Sequence, residues 1–190
     1  MKTWLIRDAE LRNNRAERKA GGCIREYLIN TPQHAILEAK RWWRGLRVYL
    51  DNCSFNRPFD KQDQLKIKLE TDAKLFVQKK ILSGDYELVW SYVLELENNN
   101  NPYPEKRGSI GEWKNIAAVH CVENEQIIAY AEKLYAIGFK AKDALHTACA
   151  VDAKADYFIT TDDGILKRAD KVKEIKIINP LIFVSELEES

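Results

Sequence analysis

Two rhythms of hydrophobic and polar residues alternate along the 190-residue chain. One is short and β-branched or aromatic. Leu46-Arg47-Val48-Tyr49-Leu50, Tyr86-Glu87-Leu88-Val89-Trp90, Tyr157-Phe158-Ile159-Thr160 and Ile175-Lys176-Ile177-Ile178 each read as a strand. The other has helical spacing. Over 61–82 it places Leu65, Leu69, Ala73, Phe76, Val77 and Leu82 on one side, and Gly84 stops the helix. Ser91 is suited to cap the next helix. Further helices are predicted at 109–119, 125–137 and 142–154, with a short one after Asp163. Asn98–Gly108, with four asparagines, Pro102 and Pro104, reads as a loop. Strands alternating with helices favour a parallel sheet covered on both faces, because parallel neighbours need crossover connections.

Residues 1–45 follow a third pattern. Residues 7–20 carry charges at helical spacing with few apolar residues, and Gly21-Gly22 interrupts them. Residues 33–45 bring an apolar stripe of Ile36, Leu37, Ala39, Trp42 and Trp43 beside Lys40, Arg41 and Arg44. The two tryptophans call for burial against the main domain or a partner, a second copy in a homodimer included. The chain thus divides into a helical N-terminal extension (1–45), an α/β domain (46–185) and an acidic tail (186–190).

Charge sharpens this division. The net charge is +1, yet residues 1–48 hold 11 Lys and Arg against 5 Asp and Glu, while the remainder holds 19 against 24. The basic arm is either a solvated helical face or an attractor for phosphate or an acidic partner. No stretch approaches ~18 uninterrupted apolar residues, so a membrane span is not expected. The N-terminus lacks the apolar run of a secretory signal. Cys23, Cys53, Cys121 and Cys149 form no Cys-x-x-Cys pair. They fit reduced thiols in a cytoplasmic protein, and Cys53 and Cys149 read as small core residues.

Candidate chemistry follows from strand ends, because ligands of open parallel sheets bind outside the carboxyl ends of the strands. Asp51 follows the first strand; Thr160, Thr161, Asp162 and Asp163 end the strand from Tyr157. Glu95 and Glu97 lie in the helix after Ser91, and Asp143 lies in the first turn of the helix at 142. Two unit charges ~4 Å apart repel by ~4 kcal/mol at an effective dielectric of 20. A divalent cation removes that cost, and oxygen ligands without Cys or His favour Mg²⁺ or Mn²⁺ over zinc. Such an ion suits phosphodiester hydrolysis. The alternative is that these acids are helix caps and turn residues.

Three segments carry a resemblance. Arg47-Val48-Tyr49-Leu50-Asp51-Asn52-Cys53 resembles the opening strand of a PIN domain. Lys142-Asp143-Ala144-Leu145-His146-Thr147-Ala148 resembles that family's Asp-Ala-x-x-x-Ala helix, and Asp156-Tyr157-Phe158-Ile159-Thr160-Thr161-Asp162-Asp163 resembles its closing strand. They stand in the family's order, and the resemblance covers roughly residues 46–185. It implies a PIN-like α/β/α sandwich and a metal-dependent ribonuclease, of which the VapC-like toxins of toxin–antitoxin pairs are examples. It also implies Asp51, Asp143 and Asp162 as ligands of Mg²⁺ or Mn²⁺. The second acid of the family sits in a Ser-x₅-Glu-like word, matched by Ser91 to Glu97. Glu97 is therefore the choice and Glu95 the reserve, since a helix turns them ~200° apart. RNA would be the substrate and an antitoxin protein a partner. Thr160 would bring a hydroxyl near the site. His146, on the same helical side as Asp143, would touch substrate or hold an acid in place. Arg57, Lys106 and Arg107 lie in loops that can approach phosphate.

The N-terminal extension and the long Asn98–Gly108 loop depart from a minimal PIN domain. A non-catalytic PIN-like module that binds RNA or protein is the alternative function. A receiver-type phosphoacceptor is disfavoured because Asn52 follows Asp51 and the last strand ends at Asn179-Pro180. A dehalogenase-like Asp-x-Asp fails because Cys53 stands in the second acid's place.

Overall fold

A computed structural model describes residues 45–188. The helices expected at 7–20 and 33–45, and the Trp42-Trp43 pair, lie outside the described residues. Five parallel strands form one sheet in the order β3-β2-β1-β4-β5. They are β1 (Leu46–Leu50), β2 (Tyr86–Ser91), β3 (Val119–Cys121), β4 (Tyr157–Ile159) and β5 (Lys176–Ile178). The chain steps outward from β1 through β2 to β3, then crosses back to the far side of β1 for β4. The order therefore reverses between β1 and β4, and a crevice opens there at the carboxyl ends of the strands.

The helices between strands are α1 (Asn52–Asn56), α2 (Leu65–Leu82), α3 (Tyr92–Asn99), α4 (Pro104–Gly111), α5 (Trp113–Ile116), α6 (Glu125–Ala136), α7 (Ala141–Asp152), α8 (Asp163–Leu166) and α9 (Pro180–Glu188). Both faces of the sheet are covered, and strand alternation shows how. Tyr49 and Phe158 are register partners and point to the face of α7, where their rings meet edge to face at 5.0 Å. Tyr86 and Tyr157 point to the opposite face and pack on Phe183 of α9. The core of Val48, Leu50, Leu88, Val89, Phe158 and Ile159 is sealed from solvent. Each such side chain contributes about 1.5–3 kcal/mol by leaving water.

Several boundaries differ from the sequence reading. The helix expected at 109–119 is two short ones: α4 starts at Pro104, which needs no N–H partner at the first helical position, and α5 follows. This shortens the expected 98–108 loop, since α3 runs to Asn99 and α4 begins five residues later. β3 is not among the expected strands: it starts at Val119, inside the span that reads as a helix, and its Val-His-Cys carries no β-branched or aromatic run. Residues 186–188 continue α9, and Lys176 pairs with Glu186 at 2.6 Å. Among the described residues, no helix is long and apolar enough to cross a membrane.

The largest difference lies in α2. Ala73 and Val77 are buried as the spacing suggests and Ile81 joins them, but Leu65, Leu69, Phe76 and Leu82 are exposed. Glu70, Thr71, Lys74 and Gln78 take the inner face instead. Glu70 explains part of this choice. Its carboxylate is fully buried, accepts a hydrogen bond from Asn179 (2.9 Å) and lies 3.1 Å from the Arg57 guanidinium. A buried carboxylate needs such partners, and they fix which side of α2 faces inward.

Among the described residues Lys74 has no carboxylate partner. It is 3% exposed, with its ammonium 5.3 Å from the centre of the Phe55 ring. Burial pushes its pKa from 10.5 down to about 7. Below that pH both folded and unfolded chains carry the proton, and the full cost of burying the charge is felt. Between about 7 and 10.5 only the unfolded chain stays protonated, so folding stability rises with pH. Replacing Lys74 by Met is expected to stabilise the protein on the order of 1–3 kcal/mol at pH 7. The gain should shrink steadily toward pH 10 in urea-denaturation series, and a gain constant across that range would contradict the assignment.

Candidate functional site

The register of the central strands sets the site. Leu50 pairs with Ile159, so the next residues, Asp51 and Thr160, stand side by side. Asp51 ends β1, caps α1 and is 2% exposed. Its Oδ1 accepts from the Ser54 N–H at 2.8 Å and its Oδ2 from the Thr160 hydroxyl at 2.5 Å. Burial raises the Asp51 pKa; the His146 charge and the Thr160 and Ser54 hydrogen bonds oppose the rise without cancelling it. Each oxygen keeps a second lone pair.

Asp51, Glu97, Asp143 and Asp162 line one cavity of about 390 Å³, together with Asn52, Cys53, Lys140, Lys142 and His146. They come from four separate segments: the ends of β1 and β4, the helix after β2, and the first turn of α7. Asp162 is both cap and cavity wall. Its Oδ1 accepts from the N–H groups of Gly164 (2.6 Å) and Ile165 (3.3 Å), while Oδ2 lies 4.0 Å from Cys53 Sγ. A Cβ on Gly164 would stand 2.8 Å from Asp162 Oδ1 and 3.6 Å from Asp143 Oδ2, so glycine keeps this corner open. Asp143 is compensated only in part by the charges of Lys140, His146 and Arg168. Its Oδ2 is buried without a hydrogen-bond partner. Burial first, and then the Asp162 charge, raise its pKa.

Glu97 is held differently. Its Oε2 lies 2.9 Å from His146 Nε2 and its Oε1 3.3 Å from Lys142 Nζ. Burial raises its pKa, but His146 and Lys142 outweigh that and leave it lowered. A carboxylate only accepts, so Nε2 carries a proton. In the neutral ring Nδ1 then accepts from the Tyr49 hydroxyl at 2.6 Å, and Tyr49 lies 2.7 Å from Ser91 Oγ. Burial raises the Tyr49 pKa well above 10, so the phenol keeps its proton. Ser91 also caps α3 by accepting from the Leu94 N–H. Ser91, Tyr49, His146 and Glu97 thus form one hydrogen-bonded line from the sheet to the cavity. The sequence points to Ser91 as the α3 cap and as the start of the Ser-x₅-Glu word, but not to its bond with Tyr49, and it does not single out Tyr49. A signal for Tyr49 was present: it sits two residues before Asp51 on the same side of its strand, an unusual place for a hydroxyl in a buried run.

The remaining expected residues fall as follows. Glu95 points away and pairs with Lys114 at 2.6 Å, as its angular separation from Glu97 requires. Thr160 is sealed from solvent; its proton goes to Asp51 and its oxygen accepts from the Asp162 N–H, so it positions those two acids. His146 is 4% exposed with both ring nitrogens engaged, and it orients Glu97. Arg57 lies in a neighbouring cavity and is already paired with Glu70 and Asp60. Lys106 lies in another neighbouring cavity, and Arg107 donates to the Asn101 carbonyl. Asp163 is exposed and stands 3.7 Å from Lys66. Cys53 is exposed at the cavity wall, not in the core, because α1 begins immediately after Asp51 and turns that side chain outward.

Among the described residues, no group of three or more acidic, His or Cys side chains is already drawn close enough to hold a metal ion. The donor chemistry nonetheless suits a hard cation: acidic oxygens around an open cavity, one of them buried and unpartnered.

A cation between these acids would relieve the Asp143–Asp162 repulsion, and substitution would do so too. A carboxyl whose folded pKa is raised favours folding below its unfolded value of 3.8 and loses that contribution as pH rises through the folded value. Asp143→Asn should therefore raise the melting temperature of chelator-treated protein at pH 7, with the advantage fading toward pH 4. Mn²⁺ should raise the melting temperature of the parent and leave the variant nearly unmoved. An equal Mn²⁺ response in both would place the ion elsewhere. No family model matches the chain, and no curated protein matches it.

Proposed function

We propose that residues 46–185 form a PIN-like, metal-dependent endoribonuclease that uses Mg²⁺ or Mn²⁺. The observation that carries this reading is the meeting of Asp51, Glu97, Asp143 and Asp162 at the switch point of the sheet, around a cavity in which the Asp143 Oδ2 has no hydrogen-bond partner among the described residues. When bound, the ion supplies charge neutralisation and a water of lowered pKa. The protein's part is positioning. Ser54 and Thr160 fix Asp51, the Tyr49–His146 line fixes Glu97, and the α8 N–H groups fix Asp162. Lys140 and Lys142 give the cavity rim positive charge for a phosphodiester. In the reaction a water oxygen bonds to phosphorus, one P–O ester bond breaks, and the departing oxygen takes a proton.

RNA as substrate, the toxin role and an antitoxin partner are supported by the resemblance of the three segments. The cytoplasm is the compartment that reduced thiols suit. A second reading, a binding module without catalysis, is favoured by one observation: the acids stand apart around the cavity and are not drawn into a closed metal cage.

Activity decides between the two. Asp51→Asn and Asp143→Asn should each lower Mn²⁺-dependent cleavage of a single-stranded RNA by about 10²–10⁴-fold, with the double variant scarcely worse, because groups acting as one unit are non-additive. RNA binding should survive both, since removing negative charge does not weaken attraction to phosphate. Glu95→Gln, whose carboxylate pairs with Lys114, should be mild. Chelator-sensitive cleavage by Asp51→Asn at the parental rate would remove the nuclease mechanism.

A further inference from the structure

Beside the acidic cavity lies a second one of about 400 Å³, and the two share Asn52, Glu97 and Lys142. Its chemistry is different. Asn56, Asn100 and Asn101 line it with carboxamides, and Tyr103 and Lys106 stand at its wall. The Tyr103 ring is 60% exposed and the nearby Phe59 is 43% exposed. Lys106 Nζ lies 4.7 Å from the centre of the Tyr103 ring and 5.5 Å from that of Phe59. A cation thus sits between two exposed aromatic rings at the mouth of an amide-lined cavity.

The segment that carries Tyr103 is built to hold it. Asn101 is buried; its side-chain oxygen accepts from the Tyr103 N–H at 3.1 Å, and its carbonyl accepts from Arg107 Nη1 at 3.2 Å. Asn98, also buried, donates to the Arg107 carbonyl at 2.9 Å. The asparagine run therefore ends α3 in a fixed turn, with the phenol left outside it. Two carboxamides remain partly unused. Asn56 donates to Asn52 Oδ1 and Asn100 donates to the Leu96 carbonyl. Asn52 Nδ2 and Asn100 Oδ1 take no partner among the described residues. A free amide donor and a free amide acceptor match the polar edge of a nucleobase, and an exposed ring matches its face. Asp60, also in the wall, repels phosphate but not a neutral base.

We propose that this second cavity is a base-binding subsite for single-stranded RNA. The inference rests on the ribonuclease reading, which assigns the scissile phosphate to the acidic cavity. A neighbouring nucleotide stacks its base on Tyr103 and hydrogen-bonds with Asn52 and Asn100. Its backbone passes Lys142 and Lys106, the two ammonium groups on that path. A base in a duplex is already stacked and paired, so only unpaired RNA fills the subsite.

The test uses the full chain carrying Asp143→Asn, so that RNA stays intact. Binding of a fluorescein-labelled, mixed-sequence, single-stranded RNA decamer is read by anisotropy. Adding Tyr103→Ala should weaken binding by about 5- to 100-fold, the range of one base–aromatic stack. Tyr103→Phe should bind within about twofold of the parent, while Tyr103→Leu should behave like Tyr103→Ala, because the flat ring carries the effect. In decamers with one abasic residue, the Tyr103→Ala penalty should vanish at one position only. Unchanged affinity in both Tyr103→Ala and Tyr103→Leu, or equal affinity of the parent for the duplex, would overturn the subsite. Cleavage of the decamer by the chain with native Asp143, together with such unchanged affinity, would leave the nuclease reading standing. A native chain that neither binds nor cleaves the decamer would remove that reading and the subsite with it.

Discussion

The carboxylate of Asp51, almost fully buried at the end of the central strand, is the constraint on which the site depends. Removing such a group from water costs several kcal/mol, on the order of what a whole domain gains net from folding. The fold keeps it there with the Ser54 N–H, from the helix that Asp51 caps, and the Thr160 hydroxyl, brought alongside by the parallel pairing of β1 with β4. Two hydrogen bonds do not restore its ordinary pKa. A second carboxylate, Asp143, stands under similar pressure, with Asp162 beside it. Stability alone favours removing these charges; their arrangement around an open cavity makes sense where a cation completes it.

The same strand serves a second acid from below. Tyr49 lies two residues before Asp51, and its hydroxyl joins Ser91 of β2 to His146 of α7, which holds Glu97 of α3. Four elements are thereby tied at one level of the sheet. Because Glu97 is held as a carboxylate, the imidazole donates to it from Nε2, and in the neutral ring Nδ1 accepts from the Tyr49 phenol. The nearby amide-lined cavity borrows Glu97 and Lys142 as a shared wall, so positioning of Glu97 also sets the border between the two cavities.

Much of this was legible in the residues, for physical reasons. β1, β2 and β4 are mostly apolar runs, as suits strands buried on both faces; Asp51 follows β1 directly, and Asp162 lies three residues beyond β4. Asp143 could be placed because α7 has clear helical spacing; the Ser-x₅-Glu-like word selects Glu97 over Glu95, the angle between them saying only that one of the two faces the site. What was hidden lacked local signal. β3 is three residues, Val119–Cys121, and takes its strand character from pairing with β2. The inner face of α2 is chosen by Glu70, whose partners Arg57 and Asn179 are far away in sequence. Capping and lining were treated as alternatives for Asp162, whereas its two oxygens divide the tasks.

The central claim is that the cavity between Asp51, Glu97, Asp143 and Asp162 takes a divalent cation. Anomalous diffraction at the manganese edge, from crystals of the full chain equilibrated with Mn²⁺, tests it most directly. The account predicts a manganese peak inside this cavity, about 2.2 Å from oxygens of Asp51 and of Asp143 or Asp162. Ordered cavity walls with no manganese between them, or manganese bound only elsewhere on the chain, would contradict it.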